Sequence, residues 1–203
     1  MTEAVQSIKG DSNRQRIIKA AYELFYHKGF NQTSFSDIAE AADFPRGNFY
    51  YYFKSKDALL KEVVRYRIDL LREMLEQWDQ DSDDPAQRLL VIADLMEATK
   101  EDVIRYGCPL GTLTAELGKT QEELQEDAVQ MLDVIIAWAE RQLEALGYGD
   151  RAHVLAMHLM ARLQGVTMMA FSYGDRAFID YEIHSMRQEL ERLGRKEPLS
   201  DRK

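Results

Sequence analysis

The chain has 203 residues, with 35 Asp and Glu against 26 Lys and Arg, and a single cysteine. That length supports one or two domains with real cores. One cysteine excludes an intramolecular disulfide framework and points to a reducing cytoplasm, and 45% hydrophobic content excludes a disordered chain.

The formal net charge of −9 argues, taken whole, against a phosphate backbone as partner. Its distribution argues otherwise. Residues 1–60 carry eight basic and seven acidic side chains, net +1, which leaves −10 for the rest. The first twenty residues lack the apolar core of a signal peptide. No run approaches about 18 uncharged apolar residues, so no transmembrane helix is expected.

Ile17, Ala20, Ala21, Leu24 and Phe25 form one buried stripe of a first helix ending at Lys28-Gly29. Phe35, Ile38, Ala39 and Ala42 give a short second helix capped by Thr33 or Ser34. Pro45 opens a third, which reaches Phe53, and Ser55 caps a long fourth. After a polar break at residues 79–84, read as solvated, Asp84-Pro85 opens a fifth helix running to about Ile104. A Gly/Pro knot at residues 106–111 precedes a short helix over 112–117. Thr120 and Glu123 have capping-box spacing and open a helix ending near Leu146-Gly147. Asp150 caps a helix over 151–171 that is apolar on most sides, as a helix buried on several faces would be. Ile179, Ile183, Met186, Leu190 and Leu193 form the seam of a last helix. No strand-period segment or internal repeat occurs, so the fold class is all-α.

Three short helices within residues 13–53, with a tight turn between the second and third, fit a helix-turn-helix. In the third, Phe49 and Phe53 face the core, which turns Arg46, Asn48, Tyr50 and Tyr51 outward. Arg and Asn can read base edges, tyrosine hydroxyls can bond phosphate oxygens, and Gly47 permits close backbone approach. Lys54 and Lys56 flank the next helix's N-terminus, which also attracts phosphate.

Residues 33–60, TSFSDIAEAADFPRGNFYYYFKSKDALL, resemble the DNA-binding signature of the TetR family of bacterial transcriptional regulators. The resemblance extends back over Ile17–Phe25 and Lys28-Gly29-Phe30. It implies an N-terminal helix-turn-helix domain, residues 1–56, joined by a long helix to a helical ligand-binding and dimerisation domain, residues 57–203. It also implies a homodimer, formed through the last two helices, that binds a palindromic operator and is released by a small molecule. Thr33 and Ser34 would then touch phosphate, Arg46, Gly47, Asn48, Tyr50, Tyr51 and Tyr52 would face the groove, and Lys54 and Lys56 would hold the DNA backbone. Asp43 stands where the family usually carries glycine, so a left-handed position is met by an aspartate, and Pro45 stands where serine is common.

Under that reading residues 80–175 contain a ligand cavity. Its candidate lining is Met96, Thr99, Tyr106, Leu113, Trp138, Met157, Met160, Gln164, Met168 and Phe171, since methionines adapt to varied ligands and a buried amide needs a partner. Cys108, in the Gly/Pro turn beside Arg105, is a candidate lining residue and a candidate electrophile or redox sensor. His153 and His158 are five apart rather than four, no HExxH, GxSxG or P-loop occurs, and no metal, cofactor or enzymatic activity is expected. The competing readings are an activator on the same operator logic and an acidic helical interaction module that binds protein rather than DNA.

Overall fold

The computed structural model describes residues 2–118 and 122–196. In chain order the helices are α1 (Thr2–His27), α2 (Phe35–Ala41), α3 (Arg46–Tyr52), α4 (Lys56–Asp81), α5 (Pro85–Tyr106), α6 (Gly111–Leu117), α7 (Glu122–Ala145), α8 (Ala152–Tyr173) and α9 (Arg176–Gly194). A 3₁₀ turn, Gly149–Arg151, precedes α8. No strand occurs among the described residues, and the all-α expectation stands.

Caps explain most of the boundaries. Ser34 is the N-cap of α2, with a reciprocal capping box to Asp37. Ser55 Oγ accepts from Ala58 N at 3.0 Å ahead of α4, and Asp84 accepts from Ala86 N at 2.9 Å ahead of α5. Asp175 caps α9 through Phe178 N, and Gly174 ends α8 in the left-handed region. Asp150, expected to cap α8, does not: it lies inside the 3₁₀ turn, and Arg151 occupies the cap position without a side-chain bond. Thr120 lies outside the described residues.

Two compact units emerge, Met1–Leu70 with Thr112–Met131, and Leu71–Gly111 with Leu132–Lys203. This differs from a single cut after residue 56. Residues 112–131 belong with the N-terminal helices because Glu116 bonds the backbone of the α1–α2 loop and Lys61 pairs with Asp127 at 3.5 Å.

In the first unit, Ile17, Ile18, Phe25, Phe30, Ile38, Phe49, Phe53, Leu59 and Leu60 are buried. Arg14 ties α1 to α4 through Glu62 at 2.6 Å and lies over the Phe53 ring. The second unit closes around Leu75, Leu89, Ala93, Trp138, Leu143, Ala156, Ile179, Met186 and Leu190. Asp79, expected in a solvated run, instead accepts from the Trp138 indole N–H at 3.0 Å and from Gln142 at 3.3 Å. Arg88 closes the network on Gln142 and on the carbonyls of Asp79 and Ser82.

Helix α8, with its preceding turn, is long and apolar enough by composition to cross a membrane, contrary to expectation. Its inner face explains part of that composition, because Leu155, Ala156, Leu159, Val166 and Ala170 sit in the second unit's core. Its outer face is apolar too, with Val154, Met157, Met168, Met169 and Phe171 exposed, so it is not buried on every side within one chain.

Candidate nucleic-acid interface

The reading element is built on two buried rings. Phe49 and Phe53, one helical turn apart, face inward, and Phe49 packs on Phe35 with ring centroids 4.6 Å apart. The helical period then places Arg46, Gly47, Asn48, Tyr50 and Tyr51 on the exposed face, with Tyr51 81% exposed. Arg46 has a loose ion pair with Glu40 at 4.0 Å, so its guanidinium is available to a stronger partner. Nothing lies within 4 Å of the position a Cβ on Gly47 would take, so that glycine is not required by packing inside the chain. Lys54 is exposed just beyond α3.

The turn before α3 is held from behind. Asp43 has φ +47°, the left-handed conformation expected where glycine is absent. Arg16 Nη2 donates to the carbonyls of Ala42 at 2.6 Å and Asp43 at 3.0 Å, fixing the peptide groups around that residue. A recess of 490 Å³ beside it is lined by Asn13, Arg16, Asp43, Phe44, Pro45, Asn48, Tyr51 and Tyr52.

Three expected contact residues are placed differently. Thr33 is buried, and its hydroxyl donates to Gly29 O at 2.7 Å, which removes its side chain from the outer surface. Lys56 Nζ donates to Phe30 O at 2.9 Å and Thr33 O at 3.1 Å and sits 4.4 Å from the Phe30 ring centroid. That ammonium is engaged with the protein's own backbone. Tyr52 is half-buried, its hydroxyl accepting from Asn13 and its ring packed edge-on against Phe44 and Tyr51. Ser34 stays exposed, its hydroxyl donating to Asp37 at 2.8 Å. Asp37 also accepts from Lys28 Nζ at 2.8 Å, and chiefly this bond, with those from Ser34, holds its carboxyl well below the usual aspartate range.

The ligand candidates divide as well. Gln164 donates to Cys108 Sγ at 3.4 Å and to Met160 Sδ at 3.5 Å, bringing three of them together beside Gly111, whose N–H also reaches Cys108 Sγ at 3.5 Å. A Cβ on Gly111 would meet Gln164 Oε1 at 1.9 Å, so any larger residue there would displace the Gln164 amide from this position. Met96 is buried, and Tyr106 and Thr99 are half-buried in the same unit, with the Thr99 hydroxyl bonded to Leu95 O. Arg105 lies over the Tyr106 ring. Trp138 is wholly buried, with its N–H on Asp79 and its ring against Trp78, which is a packing position. Met157, Met168 and Phe171 point outward instead of lining a cavity. Leu113 is buried and belongs to the first unit. Sequence reasoning missed Arg16 and Glu116, whose bonds are to backbone groups 26 and 86 residues away and leave no local pattern.

Residues 17–63 match the family model for bacterial regulatory proteins of the tetR family, and residues 85–181 match a C-terminal domain model of LmrA/YxaF-like transcriptional regulators. An uncharacterized HTH-type transcriptional regulator from the lacX 3′ region of Lactococcus lactis is 25% identical, covering 91% of this chain and 96% of its own length. The HTH-type transcriptional regulator LmrA of Bacillus subtilis is 27% identical over 80% of this chain and 88% of its own. Among solved structures, a TetR transcriptional regulator from Legionella pneumophila superimposes with a TM-score of 0.73 at 24% identity. It covers 86% of this chain and 95% of its own, and shares the fold. These relatives are transcriptional regulators, not enzymes.

Proposed function

Because the chain belongs to the TetR family of bacterial regulatory proteins and carries its DNA-binding helix-turn-helix, we propose that it is a ligand-responsive repressor. In this reading a homodimer docks two copies of α3 on a palindromic operator in the cytoplasm, and a small molecule releases it. The observation that carries the reading is the outward face of α3. Phe49 and Phe53 consume the inner side, and Arg46, Asn48, Tyr50 and Tyr51 stand together in solvent beside Gly47. This face combines donors for base edges and phosphates with a backbone open to close approach. Ser34 and Lys54 supply flanking phosphate contacts.

Two recognition helices must stand about 34–36 Å apart to enter successive major grooves, so a shift of a few ångströms abolishes joint docking. The exposed apolar face of α8, with α9, supplies the dimer contact. The effector binds the second unit around Met96, Tyr106, Met160 and Gln164, where an amide whose partners are two sulfurs, weak acceptors, offers a donor to an oxygen-bearing ligand. The coupling runs along α4 and α7, which contribute residues to both units.

The test is selection of a binding site from random duplexes, followed by affinity measurement with Arg46→Ala combined with Tyr50→Phe. Specific affinity falls by about 1–3 kcal/mol per lost base contact, while thermal stability and dimerisation stay near wild type. Unaltered specific binding in the double variant would take the DNA contact off this face of α3, and a wild type that selects no duplex would favour a protein-binding module instead.

A second reading, an electrophile or redox sensor acting through Cys108, is favoured by the Gly111 and Gln164 donors that fix its sulfur at the start of α6. Alkylation should release operator DNA from the wild type and not from Cys108→Ser. Equal release from both would remove this reading.

A further inference from the structure

The loop between α1 and α2 has its backbone groups held from two sides. On one side the Glu116 carboxylate accepts from Phe30 N at 3.0 Å and from Asn31 N at 2.8 Å, one oxygen to each. On the other, Lys56 Nζ donates to the carbonyls of Phe30 and Thr33, and the Thr33 hydroxyl donates to Gly29 O. Gly29, at φ +89°, turns the two N–H groups toward the carboxylate, and a Cβ there would come within 3.3 Å of Glu116 Oε2. The same glycine thus supplies both the bend and the space. Three residues past Asn31 the loop becomes Ser34, the N-cap of α2, and α2 carries Ile38 and Ala39 into the core beneath α3.

We propose that Glu116 is a positioning residue for DNA reading, a carboxylate on α6 that fixes the loop from which the helix-turn-helix starts while touching no DNA itself. Lys56 and Thr33 belong to the contiguous N-terminal segment, whereas Glu116 comes from 86 residues away. It is therefore a point at which α6 acts directly on the reader. Charge-assisted bonds to two consecutive N–H groups are strong, and breaking them leaves the part-buried Phe30 N–H without a partner and hands the exposed Asn31 N–H to water. Linkage makes the effect reciprocal: a displacement of α6 lowers operator affinity, and an occupied operator stabilises the Glu116 contact.

The inference rests on the DNA-reading role proposed above, and its test separates the two. Using the full chain and the duplex selected by the wild type, operator affinity is measured across a range of salt for Glu116→Ala, Glu116→Gln, Lys54→Ala and Arg46→Ala. Hydrogen exchange at the Phe30 and Asn31 amides is followed without DNA. Glu116→Ala should bind roughly tenfold more weakly with an unchanged slope of log affinity against log salt, because no phosphate contact is lost. Lys54→Ala should lower that slope by about one. Exchange at Phe30 and Asn31 should quicken in Glu116→Ala, and Glu116→Gln, which keeps one acceptor, should fall between it and the wild type. If Glu116→Ala folds poorly, the Gln variant carries the comparison at temperatures where it is fully folded. Wild-type affinity in a variant with quickened exchange would overturn the inference, as would wild-type exchange at both amides. If the wild type selects no duplex, or if Arg46→Ala binds as well as wild type, the reading of α3 itself is wrong and this inference falls with it.

Discussion

The guanidinium of Arg16, on the first helix, donates from one nitrogen to the backbone carbonyls of both Ala42 and Asp43, at 2.6 and 3.0 Å. These are carbonyls at the end of α2, where a helix leaves acceptors unpaired. Arg16 therefore pairs orphaned acceptors and clamps the one residue in the reader whose backbone is strained, Asp43 at φ +47°. The recognition helix starts three residues later, so a side chain on α1 helps set its entry angle.

Asp43→Gly should therefore stabilise the fold. Glycine adopts φ +47° without a Cβ clash, which offsets the extra freedom it gives the unfolded chain, and the exposed ion pair to Arg16 at 3.6 Å contributes little. A gain of about 0.5 kcal/mol in unfolding free energy is expected by denaturant titration. Asp43→Ala, which keeps the Cβ and loses the carboxylate, should show no gain. Equal stability for the two variants would mean that the turn stores no strain.

Gly47→Ala separates packing from recognition. Nothing in the chain meets a Cβ at this position, and alanine favours a helix interior over glycine by about 1 kcal/mol. The melting temperature should rise or hold while operator affinity falls about tenfold, because the added methyl stands between the α3 backbone and the DNA. Unchanged affinity would place the α3 backbone away from the duplex.

The start of α2 should respond to acid. Asp37 accepts from Lys28 and from the Ser34 backbone and hydroxyl, which lowers its folded pKa below the ordinary 3.8. A depressed carboxylate stabilises the fold at any pH above the unfolded value, and that contribution disappears as pH falls from about 4 toward the folded pKa. Wild type should therefore be more stable than Asp37→Asn at neutral pH, and the difference should shrink only below about pH 4. A difference already lost between pH 5 and 6 would assign the acid response to another group.

Much of this was legible in the chain. The spacing of Ile17, Ala21 and Phe25 marked α1, Phe49 and Phe53 fixed which way α3 turns, and Asp84-Pro85 marked the start of α5. The signal failed where neighbours in the chain have different fates. Thr33 and Ser34 are both hydroxyl residues ahead of α2, and only the Ser34-to-Asp37 capping spacing shows which is the cap. Lys56 has the charge and place of a phosphate clamp, but its targets are carbonyls 23 and 26 residues earlier. In α8, methionines and aromatics occur on all sides, so periodicity could not tell Met160, which faces Gln164, from Met157 and Met168, which face out.

Arg88 is a stability determinant rather than a ligand contact. It donates to the carbonyls of Asp79 and Ser82 and to Gln142 Oε1, so it closes the end of α4 against the start of α5. Arg88→Met keeps the apolar stem and leaves three acceptors short of a donor, which should cost about 2 kcal/mol or more. Chemical denaturation reads this directly. A loss below about 0.5 kcal/mol would mean that water replaces the guanidinium without penalty.

The outer face of α8 should be where two chains meet. Val154 and Met168 are 67% and 60% exposed, and they lie on one helical stripe with His158, Ala161 and Gly165. The small residues at 161 and 165 let a partner helix approach closely, and exposed apolar side chains at both ends of the stripe, Val154 and Met168, are costly to leave in water. A glutamate at the centre of such an interface faces its own symmetry mate across a two-fold axis, which adds like-charge repulsion to the cost of burying it. Met168→Glu should therefore shift the chain from dimer to monomer in light scattering, with the helical circular dichroism preserved. Operator affinity should fall with it, since one α3 reads only half of a palindrome. A dimer of undiminished stability in Met168→Glu would move the interface off this face of α8.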